Sequence, residues 1–473
     1  MITFIGAIIV LIIGYLTYGG FVERVFQIDE ERPTPATTME DGVDFVPMHW
    51  SKIFLIQLLN IAGLGPIFGA IAGALWGPVA FLWIVFGTIF AGAVHDYFSG
   101  MLSLRHDGTS VAEIVGIYLG PVAKQIMRVF SIILLILVGT VFMTGPANLL
   151  ASLTPENLNA NFWLIIIIIY YFMATFLPVD KVIGKIYPLF GAVLIIMAIG
   201  ISGGLIIGGY DIPNLTIKNL HPTNLSLWPT LFVTIACGAI SGFHATQSPM
   251  MARCMTNEKY GRRVFYGSMV AEGIIALIWA AAAMTFFGGT EGLQAALADG
   301  AQGGVVHTIS KALMGPVGGV FAILGVIALP VTSGDTAFRS ARLTIADIFN
   351  IEQGSLQKRL ALTVPIMAIG AALSQINFDI IWRYFAWSNQ TLAMIMLWAS
   401  AAYLVKSNKN HWVCTIPATF MTAVSITYIF QAQEGLNLPT SISYPIGIIG
   451  AIAGITWFLY YSSKQDKTAK INA

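Results

Sequence analysis

Long apolar segments alternate with short polar loops along this chain of 473 residues. Each segment is long enough to cross a bilayer as a helix, because about 20 apolar residues span its hydrocarbon core. A short amphipathic stretch, 109–119, lies between the third and the fourth. The pattern predicts an all-α polytopic membrane protein with about thirteen transmembrane helices. The predicted spans are Ile2–Gly20, Ser51–Trp76, Pro78–Leu104, Lys124–Leu153, Asn161–Pro178, Ile186–Gly208, Trp228–Ala252, Val264–Gly288, Lys311–Ser340, Lys358–Gln375, Asp379–Val405, His411–Gln431 and Tyr444–Tyr461.

The second span is poorly suited to one continuous helix. Gly63, Gly65, Pro66 and Gly69 fall within seven positions, and both residue types weaken or interrupt helical backbone. Broken backbone at membrane depth is expected only where it is buried or lines a cavity. The break therefore predicts a transport site that includes Phe68, where two half-helices meet. A tight helix contact made by small residues is the alternative.

The seventh span carries a second break of the same kind. Gly238, Gly242 and Pro249 interrupt it, between polar side chains that can face a ligand. The candidate lining residues of this break are Ser241, Gly242, His244 and Gln247.

The two breaks open two blocks of five spans, spans 2–6 and spans 7–11. Because five is odd, the second block must be inverted relative to the first. Matching broken helices in inverted halves indicate a midplane site in a secondary transporter. We therefore predict one transmembrane transporter domain, with repeat one over about 51–208 and repeat two over about 229–405.

Basic residues predict the orientation in the membrane. All Lys and Arg lie in or beside loops that follow odd-numbered spans, except Lys218, Lys311 and Arg383. By the positive-inside rule, the N-terminus is outside and the C-terminus is cytoplasmic, in a plasma (inner) membrane protein. The first span lacks a basic n-region and a cleavage motif, which predicts a retained helix.

Composition narrows the class of protein. Hydrophobic residues make up 56% of the chain and charged residues 10%, and the mean hydropathy is +0.78. These values indicate a membrane protein, and a net charge of +1 argues against a nucleic-acid partner. The 3 cysteines form no CxxC pair, so neither a zinc site nor a disulfide framework is indicated. No cofactor is predicted.

Several motifs, in this order along the chain, resemble the carbon starvation protein A (CstA) family. They are Glu31–Ala36 with Asp41–Pro47, Ile61–Pro66, Ala91–Asp96, Ala236–Ala245 and Asn389–Ala393. The resemblance implies a secondary transporter with the five-plus-five inverted repeat of the LeuT architecture. Family members are described as peptide or pyruvate carriers induced on nutrient depletion.

Four ionisable side chains inside the spans are candidates for proton or ion coupling, because such groups are costly in lipid. They are His95, Asp96, His244 and Glu272. Structural alternatives exist for each, such as an ion pair for Asp96. Glu272 could instead hydrogen-bond one turn back to Ser268.

The ninth span contains the sequence Ala328–Asp335, which predicts a third broken helix. The resemblance implies that Thr332 and Ser333 supply hydroxyl ligands to a cation, with Asp335 close by. The alternative for Asp335 is an i, i+4 pair with Arg339. In the eleventh span, Asn389 and Gln390 bind substrate or only bridge helices.

Together these features predict a symporter that binds a small-molecule substrate within the lipid bilayer. The favoured substrate is a small carboxylate such as pyruvate, with peptides or amino acids as the alternative. H⁺ or Na⁺ is the coupling ion, and the titratable groups favour H⁺. A channel, a nutrient sensor, and a metalloenzyme using His95, Asp96 and His244 are the competing classes. Oligomeric state is left open.

Overall fold

The computed structural model describes residues 1–42, 44–175, 179–353 and 355–471. Within these residues all regular structure is helical, and one isolated bridge joins Met48 to Met255. The first ten helices are α1 (Ile2–Leu16), α2 (Tyr18–Phe26), α3 (Pro35–Thr38), α4 (Trp50–Ile61), α5 (Ala70–Gly73), α6 (Val79–Leu82), α7 (Ala93–Arg105), α8 (Val111–Leu119), α9 (Pro121–Leu153) and α10 (Ala160–Ala174). The others are α11 (Val179–Ile207), α12 (Thr230–Thr234), α13 (Ala236–Ala239), α14 (Gly242–Ala252), α15 (Gly267–Phe286), α16 (Thr290–Ile348), α17 (Leu356–Leu373), α18 (Phe378–Lys406), α19 (Trp412–Gln431) and α20 (Thr440–Ile471). Short π-helical segments complete some spans, at Gly65–Gly69, Trp83–Gly92 and Arg262–Tyr266.

Nine helical stretches in the described part of the chain are long and apolar enough to cross a membrane, and one bent pair makes up to ten. They confirm an all-helical membrane protein. The end of the predicted fifth span, 176–178, lies outside the described residues. The stretches are Ile2–Phe26, Val79–Arg105, Pro121–Ala151, Phe190–Ile207, Glu258–Phe286, Gly318–Ile348, Leu356–Leu373, Trp412–Gln431 and Thr440–Gln465, and the bent pair is Trp50–Ile61 with Gly65–Trp76.

The bent pair is the break predicted in the second span. Helix α4 ends at Ile61, and the chain bends by 55° before the helix that begins at Gly65. Pro66 lies in the first turn of that second helix, not in the irregular backbone. Proline is tolerated there because the first backbone N–H groups of a helix have no partner within it.

Glycine is required at this break by close packing. A Cβ atom at Gly65 would overlap the side chain of Cys237, on the short helix α13. A Cβ atom at Gly63 would lie 2.8 Å from the ring of Phe142 on α9. The two predicted breaks therefore contact each other directly.

The second break lies slightly earlier than predicted. Ile240 and Ser241 have extended backbone angles, whereas Gly242, His244 and Gln247 already belong to the helix α14. Pro249 lies inside that helix and does not end it. The half-helix therefore begins at Gly242.

The predicted break in the ninth span is wrong. Helix α16 continues through 328–335, and its non-helical backbone angles are at Ala301 and Gly315. Pro330 removes a single backbone donor, which a helix held by its neighbours can tolerate. Nearby, the hydroxyl of Thr332 donates a hydrogen bond to the carbonyl oxygen of Leu329 at 2.8 Å.

Helices from distant parts of the chain pack around the two breaks. Helix α14 packs against α7 on one side and against α18 on another, and α15 packs against α4, α5 and α7. Helix α9 lies along α16 and α18. This arrangement brings the third, seventh and eighth predicted spans together in the interior.

Candidate transport site

Four buried titratable side chains form a continuous line across three helices. The carboxylate of Asp96 contacts two imidazoles: Oδ1 lies 2.8 Å from His95 Nδ1, and Oδ2 lies 2.8 Å from His244 Nδ1. On its other side, His244 Nε2 lies 3.4 Å from Oε2 of Glu272. All four side chains are fully buried. We call this line the relay, and it contains all four residues that the sequence singled out for coupling in the third, seventh and eighth spans.

Small residues let the three helices approach closely enough to form the relay. A Cβ atom at Gly92 would overlap the carbonyl oxygen of Ala239, just before the second break. A Cβ atom at Gly273, next to Glu272, would lie 2.6 Å from Oγ1 of Thr88. The hydroxyl of Thr88 in turn donates to the carbonyl oxygen of Gly238 at 3.3 Å.

Hydrogen-bond chemistry defines where protons lie in the relay. A carboxylate accepts only, so His95 and His244 each donate an Nδ1–H to Asp96. Three groups then remain: Nε2 of His95, Nε2 of His244 and the carboxyl group of Glu272. None has a hydrogen-bond partner among the described residues, although Nε2 of His244 and Glu272 approach to 3.4 Å. One proton can be carried by this facing pair, on Nε2 of His244 or on the Glu272 carboxyl.

Charge balance favours such a shared proton. Two ionised carboxylates beside two neutral imidazoles would leave two negative charges fully buried, which is costly in a low-dielectric interior. Protons taken up by Glu272 or by His244 reduce that charge. The site therefore holds buried groups that are chemically able to carry a proton.

The alternative bond predicted for Glu272 is absent from the described structure. The hydroxyl of Ser268 donates to the backbone carbonyl of Phe265 at 3.0 Å and not to Glu272. Such a hydrogen bond from a serine hydroxyl to a carbonyl of its own helix is common. Glu272 is left facing His244.

Asn389 connects the second break to α18. Its Oδ1 accepts hydrogen bonds from the backbone N–H of Phe243 at 2.7 Å and from the Ser241 hydroxyl at 3.1 Å. Its Nδ2 donates to Sγ of Cys237 at 3.1 Å. Asn389 thus satisfies one of the free N–H groups at the start of α14. Of the two roles considered for Asn389, substrate binding and helix bridging, these contacts correspond to helix bridging.

Gln390 and Gln247 are fully buried polar side chains near the same break. Gln390 Nε2 donates to the carbonyl oxygen of Phe232 at 3.2 Å, and Gln247 Nε2 donates to the Thr246 hydroxyl at 2.9 Å. Their Oε1 atoms have no hydrogen-bond partner in the part of the chain that the structure describes. Gln57 on α4 has neither amide atom paired there, and sequence reasoning did not select it. Its position one helical turn before Asn60, just ahead of the break, was an available signal.

Aromatic rings close over the first break. Phe68 lies 6.0 Å from Trp382, and Trp382 lies 5.4 Å from Phe385, between ring centroids. Phe142 contacts Phe385 at 6.3 Å and Phe243 at 6.0 Å. The sequence predicted only Phe68 of this cluster, because the other rings come from three separate helices, α9, α14 and α18.

The ninth-span residues lie apart from the relay. Asp335 pairs with Arg339 at 3.4 Å, and Arg339 also donates to the backbone carbonyl of Ala174. This contact is the i, i+4 pair that was the alternative role for Asp335. Ser333 is buried, and its hydroxyl has no hydrogen-bond partner among the residues described. A Cβ atom at the next residue, Gly334, would lie 3.3 Å from Phe142, whose other side faces Gly63. Phe142 therefore packs between Gly334 of α16 and Gly63 of the first break.

Comparisons with known proteins agree with the motifs. The sequence model described as "Carbon starvation protein CstA" matches residues 1–158, 147–290 and 281–428. An "Uncharacterized membrane protein" of Haemophilus influenzae is 44% identical, over 63% of this chain and 95% of that protein. The "Peptide transporter CstA" of Campylobacter jejuni is 26% identical, over 93% of this chain and 82% of that protein. The "Pyruvate/proton symporter BtsT" of Escherichia coli is 27% identical, over 58% of this chain and 47% of that protein.

The fold is similar to that of a solved membrane transporter. A crystal structure of a variant of the manganese transporter of Eremococcus coleocola superposes with a TM-score of 0.53 and 11% sequence identity. The similarity covers 88% of this chain and 95% of that one. At this identity it shows a shared fold and carries no information on the substrate. The matches of the family model, which together extend over residues 1–428, show that the chain belongs to the carbon starvation protein CstA family.

Proposed function

We propose that this chain is a proton-coupled symporter that takes up a small carboxylate such as pyruvate across the plasma membrane when nutrients are scarce. Related proteins are named as a pyruvate/proton symporter and as peptide transporters, which supports transport and leaves peptides or amino acids as the alternative substrate. The relay is the observation that carries the proposal. Its buried imidazole and carboxyl groups can carry protons, and they lie beside the half-helix that would begin at the substrate site.

The relay couples proton binding to the position of α14. His244 lies in the first turn of this half-helix, while Asp96 and Glu272 belong to α7 and α15. Protonation changes the net charge between these three helices, so the packing favoured by the protonated relay differs from that favoured by the deprotonated one. Movement of α14 would open the site to alternate sides of the membrane.

The substrate would bind where the two breaks meet. Gly63, Gly65 and Pro66 lead into one half-helix, and Ser241 and Gly242 lead into the other. The free N–H groups at a helix start attract a carboxylate. The buried amide oxygens of Gln247 and Gln390 would accept hydrogen bonds from donors on the substrate or on bound water.

The architecture that we propose is the LeuT type. It comprises thirteen spans, with inverted repeats over about 51–208 and about 229–405, the N-terminus outside and the C-terminus in the cytoplasm. The two broken helices, which contact each other at Gly65 and Cys237, support this arrangement.

Uptake into proteoliposomes tests the proposal. Purified protein should accumulate labelled pyruvate when the outside is made acidic, with no sodium present, and dissipating the pH gradient should stop accumulation. Labelled dialanine is the parallel substrate. Accumulation of dialanine alone would select the peptide alternative, and strict sodium dependence would reject proton coupling.

A further inference from the structure

A polar cavity lies between α8, α9, α14 and α16, and no relay residue lines it. Its volume is about 90 Å³, and hydroxyl groups and two opposite charges line it among apolar side chains. Its polar lining includes Ser131, Thr246, Arg253, Ser340 and Asp347. Thr246 is two residues beyond His244, and Arg253 follows the last residue of α14, about 10 Å further along the helix axis from Thr246. The cavity thus extends from the substrate region toward the end of α14 that basic loops predict to be cytoplasmic.

A buried hydroxyl in this cavity lacks a partner within the described structure. Ser131 on α9 is 2% exposed, and its Oγ atom makes no hydrogen bond to a described residue. Most buried serines in a helix donate back to their own helix, as Thr140 and Thr144 do further along α9. A hydroxyl that faces a cavity without such a bond is available to a ligand.

Arg253 is held in place through one nitrogen, and its charge acts on Asp347, which lines the same cavity. Its Nε donates to the carbonyl oxygen of Gly108 at 3.0 Å, and its guanidinium lies 5.3 Å from the ring centre of Phe45. Its terminal Nη atoms make no hydrogen bond to the residues that the structure describes. A fixed guanidinium with two free nitrogens suits a carboxylate, which can accept from both.

We propose that this cavity is a release site for the carboxylate of the substrate on its way to the cytoplasm. Arg253 binds the carboxylate, and the hydroxyls of Ser131 and Ser340 bind its oxygens or an adjacent carbonyl. The inference rests on the proposed function for the direction of transport, but the site itself is defined by these side chains. It is distinct from the site at the two breaks.

Asp347 should act differently on the two classes of substrate that could bring a carboxylate to this cavity. It lies on the cavity wall, and no described residue forms an ion pair with it. It repels a simple anion such as pyruvate, which keeps binding weak and favours release. For an amino acid or a short peptide, the same carboxylate would bind the ammonium group. The nearby Glu113 is paired with Lys124 at 2.5 Å and with Arg128 at 2.9 Å, and therefore contributes less net charge.

Cysteine protection tests the site without requiring transport. With the native Cys237, Cys254 and Cys414 replaced by Ala, a Ser131→Cys variant provides one thiol, at a position that lines the cavity. Inside-out vesicles expose the proposed cytoplasmic face to a charged thiosulfonate. Pyruvate should slow labelling of Ser131→Cys by about tenfold, the scale expected for a charge-assisted pair of hydrogen bonds. Ser463→Cys, on the exposed surface of α20, is the control and should label at the same rate with or without pyruvate.

A further substitution added to Ser131→Cys tests which side chains bind the carboxylate. Adding Arg253→Gln to Ser131→Cys should abolish protection, whereas adding Lys358→Gln, which removes an exposed cation on α17, should leave it unchanged. If Asp347→Asn weakens protection by dialanine and not by pyruvate, the ammonium contact is supported as well. Protection that survives Arg253→Gln, or no protection by either compound, would overturn the site. Uptake without protection would reject only the release site, and protection without uptake would reject only the proposed function.

Discussion

His244 Nδ1 lies 2.8 Å from Oδ2 of Asp96, although the two residues are 148 positions apart. Both side chains are fully buried, and the opposite edge of the imidazole faces Glu272. This contact joins the second broken span to the third span. It makes His244 the central member of the relay.

Replacing Glu272 with Gln should separate coupling from substrate exchange. The amide retains the size of the side chain but cannot carry the exchangeable proton. Accumulation driven by a pH gradient should fall by about two orders of magnitude, as is typical when a proton-transfer group is lost. Counterflow exchange of labelled pyruvate at equal pH should persist. Unchanged gradient-driven accumulation would exclude Glu272 from coupling, and Asp335→Asn is the control carboxylate outside the relay.

Replacing Asn389 with Ala should destabilise the seventh span. The substitution removes the oxygen that accepts from the backbone N–H of Phe243, and losing a helix N-terminal acceptor costs about 1 kcal/mol. Asn389→Asp retains an acceptor and should lose less. Thermal unfolding midpoints in detergent measure the order of stability of the wild type, Asn389→Asp and Asn389→Ala. Equal midpoints for the wild type and Asn389→Ala would refute the capping role.

Replacing Gly65 with Ala should force the two breaks apart. The new methyl group would overlap the side chain of Cys237, so we expect loss of uptake and a lower unfolding temperature. The double variant Gly65→Ala, Cys237→Gly removes the opposing side chain, so it should recover part of the uptake and part of the unfolding temperature. Gly203→Ala in α11 is the matched control, because nothing lies within 4 Å of its added Cβ atom. A Gly65→Ala variant with full uptake would contradict the close packing.

The Thr332→Ala, Ser333→Ala double variant tests the coupling ion. In the structure, the Thr332 hydroxyl already donates to its own helix, and Phe142 packs between Gly334 of α16 and Gly63 of the first break. Proton-driven uptake should therefore fall only modestly, by less than about fivefold, because no relay residue is altered. The measurement is uptake with and without sodium at a fixed pH gradient. A sodium requirement that disappears in the double variant would decide for a sodium site.

Local backbone chemistry is readable from the sequence because it depends on neighbouring residues. Clustered Gly and Pro predicted both breaks to within a few positions, and apolar length predicted the helical membrane fold. The same reasoning was wrong at Pro330, where one missing donor does not break a helix supported on several sides.

The sequence by itself determined which polar groups must be inside the membrane, because a long apolar segment carries its ionisable residues with it. It identified His95, Asp96, His244 and Glu272 separately. Only the tertiary structure decided that they meet in one line, that Asp335 pairs with Arg339 elsewhere, and that Asn389 caps α14. Apart from the neighbours His95 and Asp96 and the i, i+4 pair Asp335–Arg339, these contacts join residues on different helices. Helix packing depends on side-chain shape across the whole bundle, which no local pattern encodes.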